Sequence, residues 1–397
     1  MPIKSPLTIT WLLSYISIAS VSAAIITPAL PNIEQTFSLS TATVEWVVSA
    51  FLIGYVIGQL IYGPLANVYG RLKALQWGLI INLIGLVICL VASIYPNYFL
   101  LLVGRLITGL GSAAGLTCTF MLINEWLPEE QRKTAMAYSI LSFALGVGFA
   151  VLIGGMITQY AQWQGCFVFL FLQGLCMLIG IRVFDETLMQ PRPFHIPSLL
   201  RDYQRALCSY KIWTFSSIWG ASTAVGYCYA AAAPQIAHHY LQLTASEYGY
   251  FNTINIVGML IGGLSARVVM QRFSPLSVIA IGYAGSFVAM LSLGIMLYFH
   301  NQSILWFFLS TSILYCFSSY LYAGGSYIAS NAIEDRASAS SMMSFINMSV
   351  ATLSVVIMGY LSPNPSYGFL GVLAIAFIAT LVLLMGFRVN NNDPVLE

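Results

Sequence analysis

The sequence has 397 residues, of which 59% are hydrophobic and only 7% charged, and its net charge is +2. A water-soluble fold of this length needs a far more polar surface, whereas helices that face lipid do not. The few basic residues do not form the basic face that nucleic acid requires, so we expect no nucleic-acid partner. The composition therefore predicts a membrane protein, and the lipid bilayer is its first expected partner.

Long apolar runs occupy most of the chain. Each is close to or longer than the roughly 20 residues that an α-helix needs to cross the hydrocarbon layer. The runs are unbroken, unlike the short alternating strands of a transmembrane β-barrel. The sequence therefore predicts an all-α membrane protein with twelve transmembrane helices. The predicted spans are 9–30, 43–65, 74–95, 98–123, 134–158, 163–184, 212–237, 247–269, 276–299, 303–330, 338–361 and 366–387.

Basic residues cluster around every second gap between these runs. Fourteen of the fifteen Lys and Arg residues lie where such a gap begins or ends, from Lys4 before the first run to Arg388 after the twelfth. Basic loops resist translocation and therefore mark the cytoplasmic side of a membrane. We expect both termini in the cytoplasm and the chain in the inner (cytoplasmic) membrane. The fifteenth basic residue, Arg105, lies inside the fourth run.

The longest interior gap, 185–211, is polar and divides six runs from six. It predicts an N-terminal six-helix bundle (1–184), a cytoplasmic linker (185–211) and a C-terminal six-helix bundle (212–397). Segments 58–66 and 258–266 are identical at five of nine positions and occupy the same place in their halves. Duplicated bundles that rock about a site near the midplane are the usual architecture of secondary transporters.

Three segments carry a resemblance to a known family. They are PALPNI at Pro28–Ile33, the glycine-bearing loop Gly63–Lys73, and GRLITGLGSAA at Gly104–Ala114. On these residues the chain resembles the major facilitator superfamily, with its specific motifs mainly over 28–115. The stretch Pro28–Ile33, together with Gly54 and Gly58–Ala66, resembles the Bcr/CflA-type branch of drug/proton antiporters. The resemblance implies two pseudo-symmetric six-helix bundles around a central cavity. It also implies rocker-switch efflux of amphipathic, drug-like compounds, with a proton as the candidate coupling ion.

Three features differ from that branch. Asn67 stands where the loop signature usually has an acid, no acid immediately precedes Pro28, and helix five lacks the Gly-Pro expected before Gly154 and Gly155. These differences leave open a second transport function, the uptake of an organic anion such as a carboxylate-rich metabolite or a siderophore. A non-transporting membrane scaffold or receptor with the same fold is an alternative of another class.

Arg105 points most directly to function. A charge inside a membrane helix costs about 2.5–3.5 kcal/mol at the worst depth on insertion scales, so it normally faces a cavity or a partner. Thr108 and Ser112 follow at i+3 and i+7, which predicts a polar stripe on helix four that contacts the solute or the coupling ion. The alternative is a structural arginine bonded to backbone carbonyls. Because Glu45 and Glu247 lie near outer helix ends and no acidic residue is central, a lone Arg105 favours an anionic or zwitterionic solute.

Amide and aromatic side chains of the C-terminal half are further candidates for the wall of a solute cavity. Buried amides inside a membrane need partners, which either a solute or a neighbouring helix can supply. The candidate wall residues are Tyr227, Tyr229, Asn252, Asn255, Tyr315, Tyr320, Tyr322 and Asn347. Of these, Tyr227, Asn252, Asn255, Tyr315 and Asn347 are predicted to contact the solute.

The loop between helices two and three predicts a conformational role. Its residues Gly63, Asn67, Gly70 and Arg71 are predicted to form a cytoplasmic latch between the two halves, since Arg71 can reach acids or helix C-termini. The alternative is an ordinary loop on the positive side of the membrane.

Glycines on helices four and five predict close packing. Small residues let membrane helices approach and slide past one another, so a packing or hinge role is expected. The glycines to which this applies are Gly109, Gly111, Gly154 and Gly155.

Catalytic and metal sites are not expected. The sequence has neither a G-x-S-x-G nor an H-E-x-x-H pattern, and no phosphate-binding G-x-x-x-x-G-K-[ST]. His238 and His239 are adjacent, so on a helix they point in different directions, and two ligands rarely make a metal site. We expect no enzyme activity and no cofactor, and a monomer whose partners are a small-molecule solute and the bilayer.

Overall fold

The structure is a computed structural model, and it describes residues 5–188, 204, 209–330, 332 and 336–390. Most of the predicted linker lies outside these residues. Every regular element in the described ranges is an α-helix or a short 3₁₀ turn, so the prediction of an all-α fold is confirmed. Within these ranges, only the backbone is described for residues 129–130, 132–134, 136–145, 336–341 and 388–390.

The first predicted span is not one straight helix. Its two parts, 6–14 and 17–37, meet at an angle of 46°. Pro28 and Pro31 lack the backbone N–H that a continuous helix needs, which accounts for the irregular turn within the second part. The elements here are α1 (Pro6–Ser14), α2 (Ser17–Ala24), a 3₁₀ turn (Thr27–Ala29) and α3 (Leu30–Phe37).

The other predicted spans coincide with further helices. The eighth span is also interrupted, because Asn252 separates a short helix from a longer one. The helices are α4 (Thr41–Val44), α5 (Trp46–Tyr69), α6 (Arg71–Ile94), α7 (Tyr98–Trp126), α8 (Glu129–Ala161), α9 (Gln164–Gly180), α10 (Tyr210–His239), α11 (Ala245–Phe251), α12 (Thr253–Met270), α13 (Pro275–Tyr298), α14 (Ile304–Ser330), α15 (Arg336–Leu361) and α16 (Pro365–Asn390).

Among the described residues, nine helices are long and apolar enough to cross a membrane, or ten if the bent first pair is one span. The two remaining predicted runs coincide with α8 and α10. A helix is therefore found at each apolar run, and the number of twelve membrane crossings stays a prediction.

The chain divides into two compact units. Each unit includes one short segment from the other half of the sequence, which the predicted boundaries did not anticipate. The segment Thr41–Glu45 belongs to unit 2, and the segment Thr244–Tyr250 belongs to unit 1. Unit 1 comprises Met1–Ser40, Trp46–Phe194 and Thr244–Tyr250, and unit 2 comprises Thr41–Glu45, His195–Leu243 and Phe251–Glu397.

The two units have the same internal packing. In unit 1, α7 packs extensively on α5 and α6; in unit 2, α14 packs in the same way on α12 and α13. These are the second, third and fourth spans of each half. The repeated packing agrees with the internal repeat that the sequence predicts.

Glycines allow the close approach of helices in unit 1. A Cβ on Gly109 of α7 would overlap the carbonyl oxygen of Phe51 on α5, and a Cβ on Gly111 would overlap the backbone nitrogen of Asn82 on α6. Van der Waals contact between backbones needs this absence of side chains. The α5–α7 and α6–α7 packing therefore depends on glycine at these positions.

The glycine pair on α8 lies against two different segments of unit 1. A Cβ on Gly154 would overlap the carbonyl oxygen of Ile25, just after α2, and a Cβ on Gly155 would lie 2.5 Å from the carbonyl oxygen of Ala245 in α11. Both positions thus pack as closely as predicted. Their role as a hinge stays a prediction.

Candidate functional site

A hydrogen-bonded group of buried polar residues joins three helices of unit 2. The Asn255 amide donates to the Tyr229 hydroxyl over 2.7 Å and to Asn252 Oδ1 over 3.1 Å. The Thr311 hydroxyl donates to Asn255 Oδ1 over 2.9 Å. All four residues are buried. We call Tyr229, Asn252, Asn255 and Thr311 the asparagine cluster.

The break between α11 and α12, together with the neighbouring helices α10 and α14, positions this cluster. Asn252 lies at the break between α11 and α12, and Asn255 follows at i+3, so both amides lie on one face. Tyr229 reaches them from α10 and Thr311 from α14. A Cβ on Gly258 would overlap Ser312 of α14, so glycine is needed for α12 and α14 to come this close.

Aromatic rings surround the cluster on the side of Tyr229. The Tyr229 ring centroid lies 5.5 Å from that of Tyr315 in an edge-to-face arrangement, and 6.3 Å from those of Phe307 and Phe369. Sites for small organic molecules typically combine apolar and aromatic walls with a few fixed polar groups. The asparagine cluster and these rings provide both.

The structure brings some of the predicted solute-contacting residues together and separates others. Asn252, Asn255 and Tyr315 lie in or beside the asparagine cluster, as described above. The tyrosine hydroxyl that bonds Asn255 is that of Tyr229, whereas Tyr227 is only half-buried. Asn347 on α15 accepts a 2.7 Å hydrogen bond from the Thr223 hydroxyl of α10, which is a separate contact.

Arg105 is completely buried inside unit 1. Its Nε donates to the carbonyl oxygen of Val47 and its Nη1 to that of Ser22, both over 3.0 Å. The guanidinium carbon lies 4.5 Å from the ring centroid of Phe51. Nη2 is the one guanidinium nitrogen that has no partner among the described residues. The geometry is that of an arginine bonded to backbone carbonyls.

The C-terminal end of α2 provides a favourable environment for the positive charge of Arg105. Ser22 lies in the last turn of α2, where carbonyl groups lack partners within the helix and carry the negative end of its dipole. Arg105 supplies both a donor and a positive charge to that turn. It also links α2 to α5 through the Val47 carbonyl.

Arg105, Thr108 and Ser112, the three residues of the predicted polar stripe, contact different helices. Asn82 on α6 donates to the Ser112 hydroxyl over 2.8 Å and to the Thr108 carbonyl oxygen over 3.2 Å. Thr108 and Ser112 therefore join α7 to α6, while Arg105 joins α7 to α2 and α5. Asn82 and Thr311 were not among the residues predicted from the sequence, although each is a polar residue within an apolar run.

The loop after α5 is fixed by charged residues of unit 1. Arg71 forms a bidentate ion pair with Glu125, from Nε over 2.9 Å and from Nη2 over 2.8 Å. Arg71 Nη1 also donates to the Ala66 carbonyl oxygen over 2.8 Å. Glu186 accepts from the backbone nitrogens of Arg71 and Leu72 over 2.9 and 3.0 Å, and so caps the start of α6.

Gly70 is required for this capping. Its φ is +111°, which other residues rarely adopt, and a Cβ there would overlap the Glu186 carboxylate. Gly63 differs, because a Cβ there would meet nothing within 4 Å. Asn67 is half-buried. All the Arg71 contacts given above lie within unit 1, and a latch between the two halves stays a prediction.

We expect the Arg71–Glu125 pair to contribute about 1–2 kcal/mol to the apparent free energy of unfolding, since both hydrogen bonds are charge-assisted but Glu125 is 37% exposed. A double-mutant cycle of Arg71→Ala and Glu125→Ala, followed by thermal unfolding in detergent, measures this coupling. Arg267→Ala, at an exposed arginine of unit 2, is the control. Strictly additive effects of the two substitutions would contradict the prediction.

An apolar groove of about 410 Å³ lies elsewhere in unit 1, where α5, α6 and α7 meet. Its wall offers almost no polar group to orient a solute, and several of its residues are exposed apolar side chains, as expected of a surface in contact with lipid. The groove is lined by Ile61, Tyr62, Leu65, Trp77, Ile80, Ile81 and Leu110.

Comparisons with known proteins agree with this description. Residues 12–225 match the model of the Major Facilitator Superfamily. A transporter of uncharacterised function from Rickettsia bellii is 25% identical over 270 residues, which cover 66% of this chain and 64% of that protein. The quinolone resistance protein NorB of Staphylococcus aureus is 30% identical over 161 residues, which cover 40% of this chain and 34% of NorB. The chain thus spans less than two thirds of the length of these curated relatives.

Solved structures show the same fold over nearly the whole chain. A D-xylose-proton symporter superimposes with a TM-score of 0.74 at 15% identity, covering 96% of this chain and 97% of the symporter. The POT family transporter PepTSo gives a TM-score of 0.76 at 12% identity, covering 98% and 99%. The predicted fold class is confirmed, and the chain, a multi-pass membrane protein, belongs to the Major Facilitator Superfamily.

Proposed function

We propose that this protein is a secondary active transporter that moves a small organic solute across the inner membrane. In this proposal two pseudo-symmetric six-helix bundles alternate access by a rocker-switch motion, both termini are cytoplasmic, and the protein acts as a monomer. The observation that carries the proposal is the asparagine cluster with its aromatic neighbours, buried in unit 2 of a chain with this family's fold.

The chemistry of the cluster favours an amphipathic aromatic solute that is uncharged or, like ethidium, carries a single delocalised positive charge, because aromatic ring faces attract cations. Asn255 and Thr311 supply amide and hydroxyl groups, while Tyr229, Tyr315 and Phe307 supply ring faces and edges. None of these groups carries a formal charge at neutral pH. A rigid aromatic compound with a few polar groups matches this combination.

Export is the direction we propose for such a compound. The name of NorB, a quinolone resistance protein, supports a drug-like solute for this chain. Uptake of an organic anion depends on Arg105, and two of its nitrogens already donate to the Val47 and Ser22 carbonyls. Because Arg105 is already bonded to backbone carbonyls, it gives little support to the uptake of an organic anion. The uncharged cluster gives more support to a drug-like solute.

The test is transport of ethidium by purified protein in proteoliposomes with an imposed pH gradient. We expect Asn255→Val to raise the apparent KM for ethidium about 10-fold, since one lost polar contact of about 1.4 kcal/mol corresponds to that factor. Asn82→Val is the matched control, because it removes an equally buried asparagine amide from unit 1. We expect it to lower thermal stability while leaving KM unchanged.

Two results would contradict the proposal. Equal changes of KM in the two variants would mean that Asn255 serves only the structure. If no flux of ethidium, of a quinolone or of an organic anion is found in either direction, and a protein partner is retained on purification, the scaffold or receptor function is correct instead.

A further inference from the structure

Glu45 is a buried carboxylic acid that no other part of the described structure neutralises. It lies at the end of the segment Thr41–Glu45, which packs with unit 2, and its side chain is only 4% exposed. Its Oε2 has no hydrogen-bond partner among the described residues. The sequence places Glu45 near the outer end of the second span, and only the packing of the segment buries it.

The segment is seated on a glycine of α15. A Cβ on Gly359 would lie 2.9 Å from Glu45 Oε2 and 3.4 Å from the Ala42 carbonyl oxygen. The carboxyl group therefore occupies the space that a side chain at position 359 would need. The segment Thr41–Glu45 and Gly359 thus lie in close contact at the carboxyl group.

The groups that can titrate around Glu45 are few. The buried thiol of Cys228 on α10 is a titratable group near Glu45. In the described part of α15 from Met342 onward, the only titratable side chain is Tyr360, which is 74% exposed. Lys211, His238 and His239 lie at the two ends of α10. Among the side chains that the structure describes, no cation lies against the carboxyl group.

The other half of the sequence contains a similar segment with a different environment. Thr41-Ala42-Thr43-Val44-Glu45 resembles Thr244-Ala245-Ser246-Glu247, and both precede an aromatic residue. Glu247 is exposed and accepts hydrogen bonds from the Thr244 nitrogen and hydroxyl, over 2.9 and 2.8 Å, in a capping box. Glu247 is thus an exposed structural carboxylate, whereas Glu45 is buried and its Oε2 has no hydrogen-bond partner among the described residues.

An ionised carboxylate in this position would be costly. Burial of a charge without a partner is strongly unfavourable, and the usual response of a protein is to hold the neutral form. Ionisable groups kept inside a membrane protein are, by default, candidates for proton or ion pathways. Glu45 meets this description, while the exposed Glu247 does not.

We propose that Glu45 binds the proton that is coupled to transport, and that its release frees the segment Thr41–Glu45 from Gly359. When the O–H bond of the carboxyl group breaks, the proton passes to water and the carboxylate keeps the electron pair. The charged group then needs water, and in this proposal it gains water by leaving α15. This coupling role rests on the proposed transport function, whereas proton binding itself does not.

Proton binding is tested by infrared spectroscopy of the purified protein near neutral pH, without any solute. We expect a C=O stretching band of a protonated carboxyl group that disappears in Glu45→Gln and remains in the matched control Glu247→Gln. Gly359→Ala keeps the carboxyl group but places a methyl group against it, so the band should change in frequency. If wild type lacks the band, or if Glu45→Gln retains it, proton binding by Glu45 is disproved.

Coupling is tested in proteoliposomes with ethidium as the probe. We expect Glu45→Gln to abolish accumulation driven by a pH gradient while exchange of ethidium without a gradient continues, and Glu247→Gln to retain both. Gradient-driven accumulation by Glu45→Gln would overturn the coupling role. If wild type moves no ethidium, the proposed drug transport has failed, and the infrared comparison alone decides whether Glu45 is a proton site.

Discussion

Replacement of Arg105 by alanine is expected to lower the apparent free energy of unfolding by about 3 kcal/mol, the value of two hydrogen bonds from a charged donor after allowing for the relief of a buried charge. The loss has two sources. The Ser22 carbonyl at the end of α2 loses its donor, and a void of the size of the side chain opens between α2, α5 and α7. Less folded protein should be recovered from membranes.

The Arg105→Lys variant keeps the positive charge but changes the geometry of the hydrogen-bond donors. An ammonium group is a compact point charge, whereas the planar guanidinium presents donors in a fixed fork. We therefore expect lysine to bond one of the two carbonyls and to recover about half of the loss, on the same scale of about 1.5 kcal/mol for each hydrogen bond. Full recovery by lysine would mean that only the positive charge matters.

Thermal unfolding in detergent, with wild-type protein as the reference, measures these effects. Thr119→Val is a suitable control, because Thr119 is also fully buried on α7 and its hydroxyl has no partner in the described structure. It should leave stability unchanged or slightly higher. If Arg105→Ala is as stable as wild type but does not transport ethidium, Arg105 serves the solute or the coupling ion, and our structural assignment is wrong.

Gly109→Val is expected to prevent stable folding of unit 1. The new side chain would collide with the Phe51 carbonyl oxygen on α5, and a backbone atom cannot move away as a flexible side chain can. Overpacking against a rigid neighbour costs about 3 kcal/mol or more, which is a large part of the stability of a typical domain. The α5–α7 contact would have to open along its length.

Gly63→Val provides the matched control for this prediction. Gly63 lies in α5, and a Cβ at this position would meet nothing within 4 Å. The same substitution should therefore be tolerated, and the replacement of a helical glycine should even help slightly. Gel filtration and thermal unfolding of both variants after membrane extraction distinguish the outcomes. Equal yields and equal unfolding temperatures would show that α5 and α7 pack less closely than described.

The structure bears in different ways on what the sequence indicated for Arg105 and for the two asparagines of the cluster. For Arg105, the sequence predicted burial within a helix and left two interpretations open, and the contacts with Ser22 and Val47 correspond to the structural one. Asn252 and Asn255, which the sequence predicted to contact the solute, are hydrogen-bonded to each other, and their contact with a solute stays a prediction. Their partner could not be chosen between Tyr227 and Tyr229, because that choice depends on the rotation of α10.

The burial of Glu45 cannot be predicted from the local sequence pattern. The sequence placed both Glu45 and Glu247 near outer helix ends, yet Glu247 is exposed and Glu45 is buried. The difference arises because the segment Thr41–Glu45 packs on Gly359, more than 300 residues away in the chain. Contacts between such distant segments depend on how whole helices pack, which local hydrophobicity does not encode.

The sequence by itself determined the class, the position of each helix and the family, because these follow from local properties. Apolar runs of sufficient length must be helical in lipid, since every backbone group needs an internal partner there, and glycines in such runs mark close packing. Only the tertiary structure decided which polar groups meet: Arg105 with two carbonyls, Asn255 with Tyr229 and Thr311, and Glu45 with no described partner at its Oε2. The physical reason is that a buried polar group is defined by its partners, and here those partners come from other helices.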